Sequence, residues 1–146
     1  MAKTLNAKIL VHSLIDEMEN GRVLEGLPEV NDTEYDATMK IHENAISLSY
    51  KEVGEGGTVF YDVLCRKKQV TVSRTGAINS CMVFSEGEIR SSAYEIPPYR
   101  FDMTLKTKRL KNTLNESGGV IDILYEMQVG GADKRCRMKM TVEVKH

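Results

Sequence analysis

Arg135-Cys136-Arg137-Met138-Lys139-Met140-Thr141-Val142-Glu143-Val144-Lys145 alternates polar and apolar residues without a break. Period two is the spacing of a β-strand, whose successive side chains point to opposite faces. On a helix, Cys136, Met138, Met140, Val142 and Val144 would spread around the whole circumference. The segment therefore predicts a strand with one face in a core and the other in water.

The same alternation recurs along the chain. Ile121, Ile123, Tyr125, Met127 and Val129 share one face. Phe101, Met103 and Leu105 share another, as do Ile78, Met82 and Phe84, and Val70 with Val72. Val59, Tyr61, Val63 and Cys65 follow the rule, and so do Ile46, Leu48 and Tyr50. Tyr35, Ala37, Met39 and Ile41 form one more face, and Leu5, Ala7, Ile9 and Val11 the first. Between these runs lie turn-forming stretches such as Gly54-Glu55-Gly56-Gly57, Ser85-Glu86-Gly87 and Gly130-Gly131-Ala132-Asp133. Connections this short join antiparallel neighbours, because a parallel crossover needs about a dozen residues. Pro97-Pro98 must interrupt a strand or lie on an edge.

Two stretches read differently. Residues 16–33 are polar and hold Gly21, Gly26 and Pro28. They read as a long mobile loop with room for one helical turn. Lys106 to Asn115 fits either a helix, with Leu110 and Leu114 four apart, or a continuing strand with a bulge. The expectation is all-β: one domain over residues 1–146, about 8–10 antiparallel strands forming a closed barrel or a sandwich, with single-sided alternation and short sequential turns favouring an up-and-down meander β-barrel. Closing the sheet removes exposed edges.

Composition narrows the function classes. The chain has 146 residues with 20 basic and 21 acidic side chains, a net charge of −1. That balance excludes a strongly basic nucleic-acid wrapper. Residues 1–65 carry 5 basic and 12 acidic groups, net −7; residues 66–146 carry 15 and 9, net +6. No apolar run approaches the roughly 18 residues of a membrane helix, and no export signal is expected from the first residues. Cys65, Cys81 and Cys136 are odd in number and lack a C-x-x-C spacing, so reduced thiols in the cytoplasm are expected rather than disulfides or a zinc site. His12, His42 and His146 show no metal-binding spacing, and no glycine-rich element joins a strand to a helix. No cofactor, metal site or catalytic constellation is expected, and the balance leans away from an enzyme.

Tyr50-x-Glu52, Arg74-x-Gly76, Met82-x-Phe84-x-x-Gly87, Tyr94, Thr107, Gly118-Gly119 and Tyr125 occur in an order and spacing that resembles the YwiB-like proteins. These are small bacterial proteins of unknown function. The resemblance spans roughly residues 5–145. It implies a calycin-like barrel in a bacterial cytoplasm and no established activity. The chain departs from the family pattern after Tyr94, with Ile96 and Tyr99 where the family tends to carry Thr-Pro and then Gly.

Extending the strand phases puts polar groups on inner faces. Glu52 follows Ile46, Leu48 and Tyr50; Arg74 follows Val70 and Val72. A lone buried charge costs several kcal/mol, so the two are expected to pair near one mouth of the barrel. Such a pair is either a structural fastener or, with open space beside it, an anion-binding site. Tyr50, Tyr61, Thr107 and Tyr125 add hydroxyls to apolar faces, as a ligand pocket or an ordinary core would. Met39, Met82, Met103, Met127, Met138 and Met140 fall on the same faces. The expected role is a non-enzymatic protein holding a small, partly apolar ligand in the barrel, with Tyr50, Glu52, Arg74, Thr107 and Tyr125 as candidate binding residues. The alternative is an interaction module. It would use the basic face of Lys106, Lys108, Arg109, Lys111, Arg135, Arg137 and Lys139 on RNA or an acidic protein. The lack of stacking aromatics there argues against nucleic acid.

Overall fold

Alternating side chains build eleven strands in the computed structural model, which describes residues 3–145. They are β1 (Lys3–Glu19), β2 (Arg22–Val23), β3 (Glu29–Ile41), β4 (Ile46–Gly54), β5 (Gly57–Cys65) and β6 (Val70–Gly76). They continue with β7 (Asn79–Phe84), β8 (Ile89–Ile96), β9 (Tyr99–Asn112), β10 (Gly118–Val129) and β11 (Ala132–Val144). From β3 to β11 each strand pairs antiparallel with the next. β1 pairs with β3 on one side and β11 on the other, from Ala7↔Val144 to Met18↔Asp133. The result is a closed ten-strand antiparallel barrel, with the two-residue β2 attached only to the end of β1. Among the described residues there is no helix.

The inward phases meet in the core. Ile9, Met39, Leu48, Val63, Val70, Phe84, Met103, Ile121, Ile123 and Met140 are fully buried. In β11 the inner residues Cys136, Met140 and Val142 are buried, while Arg135, Arg137, Lys139 and Glu143 are exposed. Antiparallel order gives the barrel two distinct ends. At one, Leu5, Ile41, Ile46, Leu110, Leu114 and Val144 pack against the core. There Asn112 donates to the Arg66 carbonyl at 2.9 Å, tying the turn after β5 to the end of β9.

Two segments differ from their sequence reading, and a third settles an alternative left open between helix and bulged strand. Residues 16–33 are mostly strand. Asp16–Met18 continue β1 against β11, Glu19 pairs with Arg22 of β2, and Glu29–Thr33 open β3 against β1. Asn20 and Gly21 have φ of 51° and 76°, so they turn the chain between β1 and β2. Two positive φ values mark a type I′ hairpin, and Asn-Gly is its strongest sequence signal. The polar composition of the stretch hid the strands because both faces of this projecting hairpin are largely solvated. Lys106–Asn112 is strand, not helix. The β9–β10 register slips between Leu124 and Tyr125, which face Arg109 and Thr107. Lys108 is the extra residue of this bulge, so the inner phase moves from Thr107 to Leu110. Finally, β8 has too weak an apolar alternation to read as a strand. It pairs fully with β9 but with β7 only at Asn79↔Glu95 and Ser80↔Tyr94, and Pro97-Pro98 makes the turn that follows.

Candidate ligand-binding site at the open end of the barrel

The second end gathers the last residues of β1, β4, β6, β8 and β10 and the first of β3, β5, β7, β9 and β11. Its inner phase is polar where the opposite end is apolar. A cavity of about 590 Å³ opens here, lined among others by Tyr35, Tyr50, Glu52, Tyr61, Arg74, Tyr94, Tyr125 and Lys134. Met82, Met127 and Met138 supply part of its apolar wall. Five of the six tyrosines in the chain face it.

Three of those tyrosines stand on neighbouring strands. Tyr50 and Tyr61 are directly opposite in the β4–β5 ladder, and their rings stack with centroids 4.6 Å apart and 7° between planes. Tyr35 leans on Tyr50 from β3, also at 4.6 Å, tilted by 33°. β3 and β4 pair only from Thr38↔Ser49 to Ile41↔Ile46, so the two strands part beyond Ala37 and Tyr50. The Tyr35 hydroxyl reaches across this gap and donates to the Glu52 carboxylate. Outside the gap lies a groove of about 740 Å³, lined by Ala37, Thr38, Ser49 and Lys51. Tyr50 and Tyr61 border both spaces, so their rings form the partition between cavity and groove. Burial pushes the hydroxyl pKa of Tyr50, Tyr61 and Tyr125 upward; for Tyr35, burial and the Glu52 carboxylate act together.

Arg74 is half-buried. Its Nε donates to the Ser80 hydroxyl at 2.8 Å, and its guanidinium lies over the Tyr94 ring, 5.1 Å from the centroid. That is cation–π distance. Gly76 fixes the backbone just beyond it: φ is +101°, and a Cβ there would sit 2.3 Å from the Thr58 carbonyl oxygen.

The expected Glu52–Arg74 ion pair does not form; among the described residues neither side chain belongs to an ion pair. Register explains why. Tyr61 lies opposite Arg74 on one side and Tyr50 on the other, while Glu52 faces Val59, two residues nearer the rim. The two charges face one cavity from diagonal positions with Tyr61 between them. Tyr125 lines the cavity with its ring 4.8 Å from that of Phe84. Thr107 is buried in the core and does not line the cavity. Its backbone instead holds the turn before β8, accepting from Gly87 N at 2.9 Å and donating to the Glu88 carbonyl at 3.1 Å. The sequence reading missed Ser80 and Lys134 as lining or supporting groups, and placed Tyr35 on an alternating face without naming it as a site residue. Ser80 shares the phase of Met82 and Phe84, a signal that was legible. Lys134 pairs with Glu17 at 3.8 Å on the hairpin extension that polarity had concealed.

The two buried thiols, Cys65 and Cys136, offer little nucleophilic chemistry at neutral pH. Burial pushes Cys65 up to about 12 and Cys136 up to about 11, and a protonated thiol is a poor nucleophile. Among the described residues no three His, Cys, Asp or Glu side chains gather as a metal site would require.

The chain matches the family described as Domain of unknown function (DUF1934) over residues 19–141. It is 30% identical over 90 residues to the "Uncharacterized beta-barrel protein YwiB" of Bacillus subtilis (strain 168), covering 62% of this chain and 63% of that protein. The alignment thus spans a little under two thirds of the curated relative's length. The crystal structure of ywiB protein from Bacillus subtilis superposes with a TM-score of 0.83 at 25% identity, over 98% of this chain and 94% of the other. With a closed meander barrel and a family match over most of its length, the chain belongs to the DUF1934 family of YwiB-like β-barrel proteins.

Proposed function

We propose that this barrel is a non-enzymatic carrier for a small, partly apolar ligand whose anionic group is held by Arg74. The observation that carries the reading is a half-buried guanidinium facing a cavity of about 590 Å³ without a carboxylate partner among the described residues. Arginine in an apolar setting presents a rigid fork of donors suited to carboxylate or phosphate. Cavity volume and lining match small-molecule sites, which are mostly apolar with a few converging polar groups. Ser80 and the Tyr94 ring orient the guanidinium, while Met82, Met127 and Met138 offer adaptable apolar contact.

The basic outer face supports the alternative less well. Arg137 is held in a two-pronged pair with Asp122, at 3.2 and 2.9 Å, and Lys108 lies 3.6 Å from Glu126. Acidic residues therefore interrupt the positive surface. Native mass spectrometry of freshly purified protein tests the carrier reading. A small-molecule adduct should be present in the wild type and lost in a folded Arg74→Leu variant. Retention of the same adduct by that variant would remove Arg74 from the role.

A further inference from the structure

We infer that the ligand is dipolar: a short, peptide-like zwitterion whose anionic end lies on Arg74 and whose ammonium end lies on Glu52, across the Tyr61 ring. The inference rests on the carrier reading above and specifies its ligand.

The starting point is a pair of opposite charges that share a cavity and do not meet. Glu52 and Arg74 lie two strands and two residues apart, which puts their Cα atoms roughly 12 Å from each other. Each is already oriented by neutral partners. Tyr35 donates to the Glu52 carboxylate; Arg74 donates to Ser80 and stacks on Tyr94. Those contacts position the charged groups without neutralising them. The Tyr61 hydroxyl experiences both fields: Glu52 pushes its pKa up and Arg74 pulls it down, beneath a larger upward push from burial. A purely anionic ligand would satisfy Arg74 but bring its charge toward Glu52. A purely cationic one would do the reverse. A molecule with opposite ends satisfies both.

Length decides the class. An α-amino acid carries both charges on one carbon and cannot reach both walls. An extended dipeptide spans about 7 Å between its termini, and a hydrogen bond of about 3 Å at each end brings its reach to roughly the separation of the two strand positions. Apolar side chains on such a ligand would lie against Met82, Met127 and Met138.

Calorimetric titration of the intact protein with Leu-Leu, N-acetyl-Leu-Leu, Leu-Leu-amide and octanoate tests this. Leu-Leu should bind at least about tenfold tighter than either capped peptide, since each cap removes one charged hydrogen-bond partner. In Glu52→Gln, a change at the exposed rim, the penalty for acetylation should shrink to less than about threefold. Equal binding of Leu-Leu and N-acetyl-Leu-Leu, or octanoate binding more tightly than Leu-Leu, would overturn the dipolar ligand and leave the anion-anchored carrier standing. No binding by any of the four would overturn both.

Discussion

The two ends of the barrel are built from the same alternation and have opposite character. At one end the inward residues Leu5, Ile41, Ile46, Leu110, Leu114 and Val144 pack against the core. At the other the same inner phase delivers Tyr35, Glu52, Arg74, Tyr94 and Lys134 to an open cavity. A period-two pattern states which face a residue takes, and it says nothing of depth along the barrel axis. Depth follows from strand direction and register. In β4, β6 and β11 the inward residues toward one end are apolar (Ile46, Val70 and Val144), whereas toward the other they include Glu52, Arg74 and Lys134. The difference separates folding from function: one end closes the core, and the other keeps charged groups apart.

Met140 and Met138 sharpen that comparison most strongly, being two steps along one inner face of β11. Met140 is fully buried, whereas Met138 is half-buried and borders the cavity. Met140→Asp should cost more than about 4 kcal/mol, because it strands a carboxylate in a dry core. Met138→Asp should cost roughly half as much, since it borders the open cavity, where water reaches it. Equal shifts in the chemical denaturation midpoint would break the distinction between the ends.

Alkaline titration probes the mouth as a whole. Tyr35, Tyr50, Tyr61 and Tyr125 bind their hydroxyl protons more tightly folded than unfolded. The stability this gives is whole below about pH 10, the unfolded value, and is lost as pH rises through the higher folded values. Tyrosinate absorbance should therefore rise together with loss of β-sheet circular dichroism. Ionisation of four tyrosines in a barrel that keeps its sheet signal would contradict the burial assigned to them.

The smaller effects concern single contacts. Tyr35→Phe removes the hydroxyl that reaches Glu52 across the β3–β4 gap and should cost about 1 kcal/mol, measured by urea unfolding. Arg137→Ala, on the outer face, should cost less than Tyr35→Phe despite its two-pronged contact with Asp122, because the pair is solvated. A larger loss for Arg137→Ala than for Tyr35→Phe would reverse the weight given to the two surfaces.

What the sequence made legible was the face of each residue. Glu52, Arg74, Tyr50 and Tyr125 were read inward from phase alone, and all four line the cavity. What it concealed was pairing between strands. Glu52 and Arg74 seemed matched because each follows an apolar face, yet the β4–β5–β6 register sets Tyr50, Tyr61 and Arg74 in one row and leaves Glu52 off it. Thr107 has the correct phase, but it lies in the core away from the mouth, beside the Lys108 bulge. The hairpin over residues 16–33 is mostly solvated on both faces, so no alternation marked it; only Asn20-Gly21 did.

The central claim is that the open end holds an anionic, partly apolar ligand through Arg74. The chain has no tryptophan, and five of its six tyrosines border the cavity, so intrinsic tyrosine fluorescence reports on that site directly. The decisive measurement is a fluorescence titration with octanoate and with octanol, in the wild type and in Arg74→Leu. Saturable change with octanoate at least about tenfold tighter than octanol, a difference near 1.4 kcal/mol, is expected in the wild type, with that preference gone in Arg74→Leu. Equal response to both compounds in the wild type, or an octanoate preference that survives in the variant, would contradict the account.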